Sequence, residues 1–183
     1  MRNNPTIAGV IGLCGSDEKT PLGTKMPSGL TESTRWDLYY RFGHKGDTAT
    51  AYRLDVLRQY PFWVADNEKF IAETYVYHQI DQHYSLGILN RVLITCEYRV
   101  DGYTANRRKI ARENPEGYLA LKRMFIGYST SFLQLASNTT LYLVGCIFAK
   151  KGIIWGIKNA PNKGIAVIAA PLAWLLSKME FQR

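Results

Sequence analysis

The sequence predicts an α/β fold followed by a basic helical tail, and three observations lead there. The chain has 183 residues, 46% of them apolar, which supplies a core and excludes a disordered or low-complexity chain. Over the front of the chain, apolar runs of strand length alternate with helix-patterned segments. The order strand, short helix, strand, helix, strand is that of a layered α/β domain. Charge is divided as well: residues 107–183 carry 12 Lys or Arg against 3 acids, and residues 1–106 carry 11 against 12. The net charge of +8 therefore belongs to the back of the chain.

The first strand is the apolar run 6–14. Arg2 before Ile7–Cys14 has a faint signal-peptide look, but the run is short and Gly-broken, and no small-x-small cleavage site follows. Asp17, Pro21 and Gly23 then set a turn, and Pro27-Ser28-Gly29 a second. Thr31–Phe42 has helical spacing of Trp36, Tyr39 and Tyr40, with Thr31 or Ser33 as N-cap. Gly43–Asp47 breaks it. Thr48–Tyr52 is a strand, and Asp55–Tyr60 is one or two helical turns stopped before Pro61. Asp66–Lys69 open a longer helix, or a bend followed by a helix, that runs to His83 and is ended by Gly87. Leu89–Glu97 alternates as a strand, and Asp101-Gly102 is a turn.

The tail contains two uncharged stretches, Met124–Ala149 and Gly164–Ser177. The second is shorter than the ~20 apolar residues that span a bilayer, and the first is too polar for a span. Lysines at their edges and Trp155 and Trp174 fit an interfacial helix pair on an anionic membrane surface. Two ordinary helices packed on the α/β layer fit the same pattern. The basic cluster Arg107-Arg108-Lys109…Arg112 lacks interleaved aromatics, so basic plus apolar character favours a membrane surface over nucleic acid.

Chemistry has a few candidate places. Glu68-Lys69-Phe70-Ile71-Ala72-Glu73 puts carboxylates at a helix start, where one can serve as a general base or simply cap the helix. Lys45-Gly46-Asp47 offers close backbone approach to a ligand beside a carboxylate, or is a plain turn. In Asp101-Gly102-Tyr103-Thr104-Ala105-Asn106, Thr104 and Asn106 can bind a ligand or cap the next helix. His44, His78 and His83 have no metal-ligand spacing and read as packing or surface residues. Cys14, Cys96 and Cys146 are far apart and odd in number, which fits a reducing compartment and not a zinc site or disulfide scaffold. No P-loop, Gly-x-Ser-x-Gly or Gly-x-Gly-x-x-Gly motif occurs.

Taken in order, Lys45-Gly46-Asp47, the stretch Tyr52-Arg53…Tyr60-Pro61-Phe62, Glu68–Glu73 and Glu97-Tyr98-x-x-Asp101-Gly102-x-Thr104-x-Asn106 carry a family likeness. Over roughly residues 6–120 the chain resembles the C-terminal half of family 2 glycosyltransferases of the GT-A type, and most of all the bacterial group that builds capsular or surface polysaccharide. The resemblance implies a partial GT-A, Rossmann-like domain: an acceptor-side half at 1–119 and a helical tail at 120–183. It implies transfer of a sugar from a nucleotide-sugar donor to a glycan or lipid-linked acceptor. Glu73 would be the general base on the acceptor hydroxyl. Gly46, Asp47, Glu68, Lys69, Asp101, Thr104 and Asn106 would line the substrates. It implies a divalent cation, Mg or Mn, on the departing diphosphate, and a place at the cytoplasmic face of the plasma membrane. The family's Asp-x-Asp motif is absent from the sequence. The expectation is thus a fragment, a split reading frame or one half needing a partner, inactive alone. The alternative is a non-catalytic peripheral membrane-binding module.

Overall fold

The structure, a computed structural model, describes residues 4–99 and 102–181, without the side chains of residues 180 and 181. The fold is mixed α/β: one four-stranded sheet and, among the described residues, eight α-helices. The chain forms two compact units. The first is Met1–Phe62 with Val76–Val100, and the second is Trp63–Tyr75 with Asp101–Arg183. The sequence-based division between residues 119 and 120 falls inside a helix, because Pro115 starts that helix at its first position.

The first unit is built on the sheet. Its strands are β1 (Ile7–Gly15), β2 (Glu32–Ser33), β3 (Thr48–Tyr52) and β4 (Ser85–Thr95), in the order β2-β4-β1-β3. β1 runs parallel to β4 and antiparallel to β3, and β2 runs antiparallel to β4. The central β1 is the continuous apolar run the sequence shows, buried along most of its length. Helices α1 (Arg35–Tyr40), α2 (Leu54–Leu57) and most of α3 (Thr74–Ile80) contribute Trp36, Leu38, Val56, Val76 and Ile80 to the core.

Three sequence expectations change here. The helix predicted over Thr31–Phe42 is shorter, because Glu32 and Ser33 pair with β4 and Thr34 is the N-cap, accepting a bond from Asp37 N. Of the two readings from Asp66, the longer helix gives way to the bend followed by a helix: turn and irregular chain run up to Glu73, and Thr74–Ile80 is helical. The amide of Lys69 in that irregular chain donates to Asn114 Oδ1 (2.8 Å), a tertiary partner no local pattern announces. Gly87 does not end a helix but lies within β4, opposite Glu32 and Val10.

The second unit is helical: α4 (Arg107–Glu113), α5 (Pro115–Tyr128), α6 (Phe132–Phe148), α7 (Gly152–Asn159) and α8 (Lys163–Phe181). The uncharged stretch Met124–Ala149 is therefore not one element but the end of α5, a break at Ser129–Ser131, and α6. α6 is the core helix of this unit, with Tyr142, Leu143, Val144 and Cys146 buried. Its Thr139 and Thr140 hydroxyls are satisfied by donating to the carbonyls of Leu135 and Ala136, one turn back.

Candidate functional site

In the first unit, a polar network sits beside the sheet. The Asp81 carboxylate accepts from the amides of Arg35 (3.1 Å) and Trp36 (2.9 Å) at the start of α1. It also pairs with His78 Nδ1 at 2.9 Å. All of this is buried, so each lone pair used offsets desolvation of the carboxylate. Arg35 then donates to the hydroxyls of Thr48 and Thr50 on β3 and stacks on the rings of Tyr39 and Tyr77. Tyr39 in turn donates to the carbonyl of Gly46 at 2.9 Å. Neither Arg35 nor Asp81 stands in a motif, and only the fold brings them together.

This network supports the turn that carries Gly46 and Asp47. Gly46 has φ +111°, and a Cβ there would lie 2.1 Å from the carbonyl oxygen of Leu22. The close backbone approach expected at this glycine is made by the chain itself, through the bridge between Gly23 and Gly46. Asp47 accepts from the Tyr98 hydroxyl at 2.6 Å, and that bond, with burial, pushes the phenol up to about 12. Nearby, burial and a hydrogen bond with the Cys96 thiol push the Cys14 thiol up to about 12, which keeps it protonated and unreactive.

The remaining described candidates lie in the second unit. Glu68 accepts from the amides of Glu116 (2.6 Å) and Gly117 (2.8 Å), so its carboxylate caps the start of α5. Asn114 holds the neighbouring Lys69 amide, while the Lys69 side chain is exposed. Phe70 packs on Tyr103 with ring centroids 4.7 Å apart. Glu73 is exposed in the turn just before α3. Burial, and secondly the charge of Glu73, push Tyr103 up to about 12. Asn106 is the N-cap residue of α4, but its side chain donates back to the Gly102 carbonyl (2.9 Å) instead of capping. Thr104 is exposed in the same turn. Asp101 lies outside the described residues.

The carboxylates present do not fit a cation site. Asp47 is bonded to Tyr98 and Glu68 to the amides of α5, and no group of three His, Cys, Asp or Glu converges among the described residues.

The tail turns out to be the most unusual surface. Along α8, Ala166, Ala169, Ala173 and Ser177 face inward, whereas Val167, Ile168, Leu172, Trp174, Leu175 and Met179 face outward. Ile168 is 75% exposed while Ala166 is fully buried. On α7, Ile154 and Trp155 are exposed too. Lysines lie over both tryptophans: Lys178 Nζ is 4.5 Å from the Trp174 ring centroid and Lys151 Nζ is 4.8 Å from that of Trp155. No helix among the described residues is long and apolar enough to cross a membrane.

No family model, no curated protein and no solved structure matches the chain.

Proposed function

We propose that this chain is the acceptor-side part of a family 2 glycosyltransferase that builds surface polysaccharide and works against a membrane surface. The observation that supports the transferase reading is that Phe70 and Tyr103, one from each of two motif segments that carry the resemblance, pack together. Beyond the motif, the helices that follow it hold segment 68–73 in place, Glu68 through the amides of Glu116 and Gly117 and the Lys69 amide through Asn114. That lock holds Glu73 exposed beside Tyr103, where a carboxylate can take a proton from an acceptor hydroxyl as the hydroxyl attacks the donor sugar. Glu68 in this reading positions the segment and does not touch substrate. The sequence contains no Asp-x-Asp, and this reading assigns the nucleotide-sugar and any Mg or Mn ion to none of the residues named here.

The test is a radiolabelled sugar-transfer assay on the chain joined to a half that supplies Asp-x-Asp. Glu73→Gln is expected to lower transfer by about 100-fold or more with an unchanged circular dichroism spectrum. A rate within threefold of the parent removes Glu73 as the base. No transfer from any nucleotide-hexose by the joined chain removes the reading.

The alternative, a membrane-surface module without catalysis, is favoured by the inside-out arrangement of α8. Small residues inward and large apolar residues outward is how helices arrange themselves when lipid and not water is outside. With Lys163 and Lys178 on α8, Lys158 on α7 and Lys151 at its N-cap, the suited surface is an anionic bilayer at headgroup depth. Flotation with phosphatidylglycerol vesicles tests it. The chain is expected to float, less so at high salt, and the double variant Ile168→Glu, Leu175→Glu is expected to lose at least tenfold in binding. Equal flotation of variant and parent, or none by either, rejects the membrane surface. A second copy covering α8 would show instead as a dimer that the double variant dissociates.

A further inference from the structure

Two of the three cysteines meet at one end of the sheet in the first unit. Cys14 is the last residue but one of β1, and Cys96 is the first residue beyond β4. These strands are parallel neighbours, with Cys14 opposite Ile94 and Gly15 opposite Thr95. The Cys96 amide donates to the Gly15 carbonyl at 2.8 Å, so the pairing carries Cys96 past the strand end beside β1. The two thiols are hydrogen-bonded to each other, and no disulfide joins them. The turn of Gly46 and Asp47 is tied to the same place. The Cys14 amide donates to the Asp47 carbonyl at 3.2 Å, and Tyr98, two residues after Cys96, donates to the Asp47 carboxylate at 2.6 Å.

A buried cysteine by itself is a small apolar residue, and Cys146, fully buried in α6 of the second unit, is that case. Cys14 differs because a second thiol lies against it. The pair is also unequal: Cys14 is only 3% exposed, whereas Cys96 is half-buried and open to small reagents. Burial, with the bond to Cys96, pushes the Cys14 thiol up to about 12, so it does not compete for an oxidant. An open thiol with a shielded one behind it is the arrangement of a first and a resolving sulfur. In a reducing compartment, which the sparse and odd cysteine count fits, such a pair rests open and closes transiently.

We propose that Cys14 and Cys96 are a reversible redox pair, which a hydroperoxide closes into a disulfide across the ends of β1 and β4. The Cys96 sulfur attacks the terminal oxygen of the hydroperoxide, the O–O bond breaks, and an alcohol or water leaves. Cys96 is then a sulfenic acid. The Cys14 sulfur attacks the Cys96 sulfur and the S–O bond breaks. The departing hydroxide takes the Cys14 proton and leaves as water. Two thiols have then given two electrons to one hydroperoxide, and exchange with a dithiol reverses the closure. The closed pair pins the end of β1 to the chain that carries Tyr98, and through Tyr98 it holds the turn of Asp47. The proposal rests on neither the transferase reading nor the membrane reading.

The test treats the reduced, folded full chain with hydrogen peroxide, digests it without reductant and maps the peptides by mass spectrometry. The expected product is one linked pair of peptides containing Cys14 and Cys96, two hydrogens lighter than their sum, with Cys146 still a free thiol. Dithiothreitol is expected to return both peptides to the reduced form. Dimedone, which captures sulfenic acids, reads the order of events. In the Cys14→Ser variant the Cys96 adduct is expected to be at least fivefold more abundant than in the parent, because nothing resolves it. Equal capture in variant and parent overturns the pair. So does a parent that peroxide leaves fully reduced, one that goes to a Cys96 sulfinic acid, or one that links Cys96 to Cys146 or to a second copy. Should Cys14→Ser fail to fold, the peptide map of the parent decides alone.

Discussion

Lys122 shows what one residue does to pH dependence. Its folded pKa of about 8 lies below the ordinary lysine value of 10.5, so between those values the unfolded chain holds the extra proton. Stability therefore rises with pH across that window, and below it the buried charge is a standing cost of the order of 3 kcal/mol. Lys122→Met is expected to raise the melting temperature at pH 7 and to flatten the rise between pH 8 and 10.5, as followed by circular dichroism. Gly46 is the opposite case, a residue with no chemistry and a strict steric duty. Gly46→Ala places a Cβ against the Leu22 carbonyl at φ +111° and is expected to cost at least about 2 kcal/mol in urea unfolding. The glycine was legible in the sequence as a place of close approach. What approaches was not, because Leu22 reaches it only through the pairing of two distant turns. Asp81 was not legible at all, since its three partners lie on α1 and α3 and none forms a motif with it.

Among the elements, β1 and β3 were readable because a strand buried on both faces, or bounded by turns, writes its pattern locally. The segment 66–73 was not, because its backbone bonds go to Asn114 and its carboxylate to the next helix. That dependence gives a prediction: Glu68→Ala leaves two amides at the start of α5 without an acceptor and is expected to cost about 1–2 kcal/mol, seen as a lower melting temperature of the helical signal. It is also expected to loosen Phe70 from Tyr103, so transfer by a joined enzyme falls without Glu73 being touched. For α8 the sequence left a packed helix and an interfacial helix equally open. Composition cannot choose between them, because Ala and Leu are both apolar. The choice lies in which of them faces outward, and the structure turns Ala166, Ala169 and Ala173 inward.

At the scale of the whole molecule, charge and fold divide the chain differently. The basic excess begins at Arg107, whereas the helical unit also takes in residues 63–75 from the middle of the chain. The carboxylates expected to act together are thus distributed: Asp47 belongs to the first unit, and Glu68 and Glu73 to the second. Salt tests the placement of the charge. Vesicle binding through the second unit is expected to fall several-fold between low and physiological ionic strength, as screening requires. Vesicle binding that salt leaves unchanged would remove the lysines from the contact. By itself the sequence determined the α/β class, the central strand, and the neutral front and basic back. These are properties of residue type and spacing. Only the tertiary structure decided that Glu68 caps α5, that Gly46 is filled by the chain's own backbone, and that α8 points its large side chains outward. Each of those depends on which residues meet across 20 or more positions of chain, and local pattern carries no such information.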